Sequence, residues 1–374
     1  MQAKKHKILV VGQTPPPYCG QSIMIEAMLT QKYKSIELIH IRMAFSDEID
    51  EIGKFKLTKI WHLITLITKI IFTRFSSGAR VLYYPPAGPN RLPIYRDFAI
   101  LICTRWLFSR TVFHFHAGGL STIYNHLTSV EKFFFRSAYS KPEGAILLSK
   151  LNPRDDTFLN AKHKFVIPYG IEDHFQEDRL NRPNQISCVL FVGVLTESKG
   201  VLILIEAIKI LQQKNIPLVA KLMGKFESPE FEKHVRSLVT EYNIETCIEF
   251  LGVQTGNDKW HQFYHADIFC FPTFYESETF GLVVLEAMQF QLPTIVTNWR
   301  GVPSLVKDGE TGFIVEPSNA DEVATRIEFL TKNPNVALQF GRRGRQEYIK
   351  RFKLGNFRAE LENAFVSVIE NSTL

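Results

Sequence analysis

Short runs rich in β-branched and apolar residues alternate with longer helix-patterned stretches along the whole chain. This alternation leaves few architectures open and predicts parallel sheets with crossover helices. The front half offers strands at Lys7–Gly12, Ile36–Ile41, Arg80–Tyr84, Thr111–His116, Gly144–Ser149 and Lys164–Pro168. The back half offers Ile186–Val192, Leu218–Met223, Ile248–Leu251, Ile268–Pro272, Thr294–Thr297 and Gly312–Val315. At 374 residues the chain exceeds a single core, so the two sets predict an α/β protein of two doubly wound, Rossmann-like domains. Between them, Ile171–Gln185 is polar, lacks a hydrophobic period and contains Pro183, which makes it a linker with the boundary near residue 180. The expected division is 1–180, 181–350 and a terminal helical segment, 351–374, long enough to pack back on the first domain.

Charge is unevenly spread. Residues 1–175 hold 23 Lys+Arg against 13 Asp+Glu, whereas residues 176–374 hold 21 against 25. A basic front half faces nucleic acid, an anionic membrane surface or a phosphorylated substrate, or is simply a solvated face. It lacks the aromatic-interleaved basic motif of common RNA modules, so nucleic acid is not expected as a partner. Five scattered cysteines with no C-x-x-C pair indicate neither a disulfide framework nor a zinc site, and a reducing cytosol is the simplest setting. The apolar run Ile8–Val11 is too short for a signal-peptide core and reads as the first strand. No stretch qualifies as a transmembrane helix: Ile60–Phe72 is interrupted by Lys69, and Phe98–Val112 by Arg105 and Arg110. The segment Lys54–Arg74 is basic and amphipathic, with Trp61 and Phe72 among its apolar residues. It suits a membrane surface, a place on the first sheet, or both.

The stretch ESETFGLVVLEAM, residues 276–288, carries the densest chemistry. It follows the strand Ile268–Pro272, so its loop lies at the carboxyl end of a parallel strand, where open α/β sheets bind ligands. Gly281 lets a ligand approach the backbone, and the free N–H groups of Leu282 and Val283 form an anion site at the helix start. A pyrophosphate fits there. The helix reads as hydrophobic all round and therefore wholly buried, which makes Glu286 costly unless something donates to it. Ribose hydroxyls one turn below a bound pyrophosphate meet that need. Glu278, before the helix, falls near the far end of the diphosphate, and Glu276 has no evident role.

Glu278 and Glu286 frame E-x7-E. With Phe280-Gly281, Glu286-Ala287-Met288, Pro293, Gly301-Val302-Pro303 and Asp308-Gly309-x-x-Gly312, the segment Phe271–Pro317 resembles the donor-site signature of the retaining glycosyltransferases of family 4. That resemblance implies the GT-B fold, in which two Rossmann-like domains face a central cleft, the acceptor on the first and the donor on the second. It implies that Glu286 binds the ribose of a nucleotide sugar of UDP or GDP type, and that the Phe280–Val283 backbone holds the diphosphate. Glu278 would contact the sugar and stabilise its oxocarbenium-like transition state. Gly193 and Ser198-Lys199-Gly200 resemble the family's strand-loop with a basic pair, of which Lys199 is present. Val194 stands at the Arg position, so a bidentate donor is lost there.

In the first domain, His116 ends a strand before Gly118-Gly119 and resembles the family's active-site histidine; a loop histidine holding a turn is the other reading. His114 shares its strand face and reads as a core residue; two histidines at i and i+2 without a third nearby ligand do not predict a metal site. The loop Gly12–Gly20 is not a dinucleotide fingerprint; Gly20 best matches the family's glycine near donor and acceptor, and three prolines that merely stiffen a turn explain the loop equally well. Ile167-Pro168-Tyr169-Gly170-Ile171-Glu172 departs from the family's strand-end motif, and no chemistry is assigned to Tyr169 or Glu172. No Asp-x-Asp, Walker A, H-E-x-x-H or G-x-S-x-G occurs.

The resemblance thus implies a retaining transferase with neither metal nor cofactor, acting in polysaccharide or glycoconjugate assembly. The acceptor expected from charge and family habit is a glycan, lipid-diphosphate-linked, at the inner face of the cytoplasmic membrane. An epimerase of the same fold and a catalytically silent nucleotide-sugar-binding protein are the alternatives.

Overall fold

The computed structural model describes residues 5–43, 45, 57–175 and 187–370. The chain divides into two units, the first comprising Met1–Tyr169 with Leu354–Leu374 and the second Gly170–Lys353. The boundary expected near residue 180 falls outside the described residues, as do most of the proposed linker and residues 54–56 of the basic segment.

In the first unit β1 (His6–Gly12), β2 (Ile36–Arg42), β3 (Val81–Tyr84), β4 (Arg110–Phe115), β5 (Gly144–Leu147) and β6 (His163–Val166) form one sheet in the order β2-β1-β3-β4-β5-β6. Every pairing is parallel. The inner strands β3, β4 and β5 are buried on both sides, as their near-continuous apolar runs require, whereas the edge strands β2 and β6 are partly exposed. Leu9, Val11, Leu82, Tyr84, Phe113 and Phe115 point to one side, into a core shared with the helices Leu57–Ser77, Arg91–Thr104 and Ser129–Tyr139. The alternate residues Tyr83 and His114 point the other way, toward Phe365 and Phe357 of the terminal helix Leu354–Glu370. That helix is tied to the first one, Gly20–Leu29, by Arg358, whose Nε donates to the Ala27 carbonyl at 2.9 Å.

In the second unit β7 (Ser187–Val192), β8 (Leu218–Met223), β9 (Ile248–Gly252), β10 (Ile268–Phe271), β11 (Thr294–Thr297) and β12 (Gly312–Val315) lie in the order β12-β11-β10-β7-β8-β9, again all parallel. The order reverses between β7 and β10, so their carboxyl ends define the topological switch point. The helix Val201–Gln213 buries Val201, Leu204, Ile205, Ile208 and Leu211 at helical spacing and packs on Ala320–Lys332. The helical pattern at Arg342–Phe365 is broken into Pro334–Arg351 and Leu354–Glu370; the break falls at Phe352-Lys353, at the leading edge of the expected Lys353-Leu354-Gly355.

Candidate functional site

Two loops meet at the switch point of the second unit, one leaving β7 and one leaving β10. Gly200 lets them come together. Its φ is +84°, and a Cβ there would lie 2.1 Å from the Pro272 carbonyl oxygen, a distance that no side chain tolerates. The Ser198 carbonyl then accepts from Phe274 N–H at 2.8 Å, which fixes the first loop on the second. The β10 loop is fixed from its other side by Trp299, whose Nε1 donates to the Tyr275 carbonyl at 2.8 Å, and by a hydrogen bond from Thr297 Oγ1 to the Thr273 carbonyl.

The clamp brings together two residues 79 positions apart. Lys199 Nζ donates to Glu278 Oε2 at 2.6 Å and lies 4.4 Å from the Tyr275 ring centroid, a cation–π contact. Burial pushes the Glu278 carboxyl up, but the Lys199 charge and hydrogen bond, with N–H groups of Phe280 and Gly281, outweigh it and hold the pKa below the usual carboxylate value. Gly193 follows β7 and donates its N–H to the Met223 carbonyl at 3.0 Å. Val194 sits in that loop, so the only basic residue of the Gly193–Gly200 segment is Lys199. Glu276 is exposed.

Gly281, with φ +83°, turns the chain into the helix Leu282–Gln289. Phe280 is buried against Phe352, ring centroids 6.1 Å apart, and anchors the turn. The helix is not buried all round, as its composition predicts. Val284, Leu285, Ala287 and Met288 face the interior, whereas Leu282, Val283 and Glu286 form one half-buried side. The first N–H groups of any helix lack intrahelical acceptors, and those of Leu282 and Val283 belong to this open side.

Glu286 has a protein partner that sequence reasoning missed. Lys259 Nζ, on the helix Gly256–His265, donates to Glu286 Oε1 at 2.5 Å. Glu286 Oε2 is buried and has no hydrogen-bond partner among the described residues. An acceptor left open on a paired carboxylate, one turn below the helix start, fits a ligand hydroxyl. Lys259 lies on an amphipathic helix and carries no local signal that distinguishes it from a surface lysine.

In the first unit the strand-end residues converge on a polar cluster beneath the terminal helix. Tyr83 Oη lies 2.9 Å from His114 Nδ1 and 2.9 Å from His116 Nε2, and His116 Nδ1 is hydrogen-bonded to Tyr169 Oη. Both ring nitrogens of His116 are therefore engaged, and the ring is buried. Burial pulls the His114 pKa down to about 3, and burial with the neighbouring His114 pulls His116 well below its ordinary value. Both imidazoles are neutral. Tyr169, to which sequence reasoning assigns no chemistry, and Tyr83 are the residues that orient His116. Gly20 opens the helix Gly20–Leu29, and the preceding proline loop is held by Arg42, whose Nη2 donates to the Pro16 carbonyl at 2.7 Å.

Two doubly wound parallel units, each a six-stranded sheet whose strand order reverses, define the GT-B class of α/β proteins. Residues 172–347 match the family described as glycosyl transferases group 1, a stretch that covers most of the second unit. Among curated relatives, the chain is 28% identical over 182 residues to the capsular polysaccharide biosynthesis glycosyltransferase CapM of Staphylococcus aureus, covering 49% of this chain and 46% of CapM. It is 22% identical over 278 residues to the putative colanic acid biosynthesis glycosyltransferase WcaL of Escherichia coli, covering 71% of this chain and 64% of WcaL. The chain thus spans less than two thirds of the length of these relatives. Its fold is similar to that of Anabaena HepE, whose crystal structure in complex with UDP has a TM-score of 0.74 at 17% identity, covering 96% of this chain and all of that one.

Proposed function

We propose that the chain is a retaining glycosyltransferase that moves a sugar from a nucleoside diphosphate, of UDP type, to a hydroxyl of a lipid-linked glycan acceptor. The reaction would serve polysaccharide or glycoconjugate assembly at an anionic membrane surface. The observation that carries this reading is the pair of lysine–carboxylate contacts, Lys199–Glu278 and Lys259–Glu286, flanking the helix start at Gly281. The diphosphate would rest on the Leu282 and Val283 N–H groups, with the ribose hydroxyls on the open oxygen of Glu286. As the bond from the anomeric carbon to the diphosphate breaks, negative charge grows on the leaving oxygen; Lys199 and the helix N–H groups face it, already oriented. Positive charge grows on the sugar, and the ionised Glu278 carboxylate lies beside it. Lys199 links the two charges, and this offsets the loss of a bidentate donor at Val194. The names of the relatives, and the presence of UDP and UDP-glucose in the Anabaena structures, support the donor class and the polysaccharide setting.

A donor panel of UDP, GDP and ADP sugars, with nucleotide release measured with and without membrane lipid extract, tests the proposal. Release that requires both a UDP sugar and the lipid fraction is expected. Normal UDP binding with neither hydrolysis nor transfer from any donor would overturn the enzyme reading.

A further inference from the structure

The helices Leu57–Ser77, Arg91–Thr104 and Ser129–Tyr139 press one side into the core of the first unit through Leu66, Ile70, Ile94, Phe98, Phe135 and Ala138. Their opposite side is where polar residues belong, yet it is apolar as well. On the first helix Trp61, Ile64, Phe72 and Phe75 are exposed at positions that fall in one stripe along the helix. On the second helix and the turn after it, Leu92, Tyr95, Ile102 and Trp106 repeat the pattern, and on the third Val130, Phe133 and Phe134 do so. Trp61, Phe72 and Trp106 are 73%, 74% and 75% exposed, too far out to be the edge of a core.

These stripes lie side by side. Arg74 Nε, on the first helix, donates to the Leu107 carbonyl at 2.8 Å, and the Phe98 ring lies 6.4 Å from that of Phe134. Scattered exposed apolar residues need no explanation, whereas a contiguous patch marks an interaction site. Among the described residues of the second unit only Val253, Tyr275, Phe329 and Ile349 are exposed large apolar residues.

Charge selects the occupant. The three helices contain two acids, Asp97 and Glu131. Asp97 is buried and paired with Arg96 at 2.8 Å, and Glu131 accepts the Thr128 N–H at 2.7 Å together with the Tyr95 hydroxyl. Lys69, Arg91 and Arg136 are exposed. A second copy of this face would bring like charges together, whereas Trp and Phe bordered by Lys and Arg match the interface of an anionic bilayer.

We propose that this three-helix face docks the first unit on an anionic bilayer. Trp61, Phe72, Phe75 and Trp106 enter the boundary between headgroups and acyl chains, while Lys69, Arg91 and Arg136 lie against lipid phosphates. This deepens the membrane part of the function proposed above and rests on it for the choice of partner; its test involves no sugar transfer.

The full chain is floated with phosphatidylcholine vesicles with and without phosphatidylglycerol, beside a variant carrying Trp61→Ser, Phe72→Ser and Trp106→Ser. The wild type should partition at least about tenfold more strongly into the anionic vesicles, less so as salt rises. The variant should lose at least about tenfold of that partition while its melting temperature and its thermal shift with UDP stay unchanged. Equal partition of wild type and variant, or no wild-type binding alongside a normal UDP shift, would overturn the proposal. So would a wild-type dimer in light scattering that the variant turns into a monomer. Vesicle binding without a UDP shift would support this surface and count against the nucleotide site alone.

Discussion

A carboxylate on a helix that buries Val284, Leu285, Ala287 and Met288 is costly to desolvate unless a donor compensates it. Lys259 compensates one oxygen of Glu286 and leaves the other open. Lys199 likewise bonds one oxygen of Glu278, and with the Phe280 and Gly281 N–H groups it holds that carboxyl below its usual pKa despite burial. The buried histidines behave in the opposite sense, because nothing charged offsets their desolvation. His114 and His116 take up protons in the unfolded chain below about pH 6.5, but in the folded protein only at much lower pH, about 3 for His114. The unfolded state therefore binds more protons in this window, and stability falls as pH drops below 6.5, by up to about 1.4 kcal/mol per pH unit for each ring. Urea denaturation at pH 7.5 and at pH 5 should show this loss, and His116→Gln should reduce it. The same loss in the variant, or none in the wild type, would contradict the assignment.

At the scale of elements, much was legible in the sequence. The strands Leu218–Met223, Thr294–Thr297 and Gly312–Val315 lie where their apolar runs put them, because short buried strands between loop signals have little freedom. The run Gly144–Ser149 ends sooner, at Leu147, where the Ser149 hydroxyl turns back to accept the Leu151 N–H. The loop from Thr273 to Gly281 was legible as the connection at the carboxyl end of a parallel strand. Its partners were not: Lys259 meets Glu286, and Tyr169 meets His116, only through tertiary packing that has no local period. The second apolar side of Leu57–Ser77 was half-visible as Trp61 and Phe72, but a sequence does not say which of two apolar sides is covered. The junction of the β7 and β10 loops depends on Gly200. Gly200→Ala should cost at least about 2 kcal/mol, from positive φ and collision with Pro272, seen as a fall in melting temperature. Gly256→Ala, at φ +53° with open space around it, should cost less. Equal falls would show that the Pro272 contact is not limiting.

At the scale of the molecule, both units use one device, a parallel sheet whose strand order reverses, and differ in what they display. The first is basic and presents aromatic stripes; the second is slightly acidic overall and concentrates its chemistry in a few loops at one switch point. In the proposed function the two carboxylates divide the work, Glu286 holding the nucleotide and Glu278 serving the sugar. The measurement that bears on it most directly is a paired determination of UDP affinity by calorimetry and donor turnover by nucleotide release, for the wild type, Glu286→Ala and Glu278→Gln. Glu286→Ala should weaken UDP binding about tenfold or more, the loss of a charge-assisted hydrogen bond. Glu278→Gln should leave UDP affinity within about twofold and lower turnover at least about a hundredfold. Equal, negligible effects of the two substitutions, or a loss of UDP affinity on changing Glu278 alone, would contradict it.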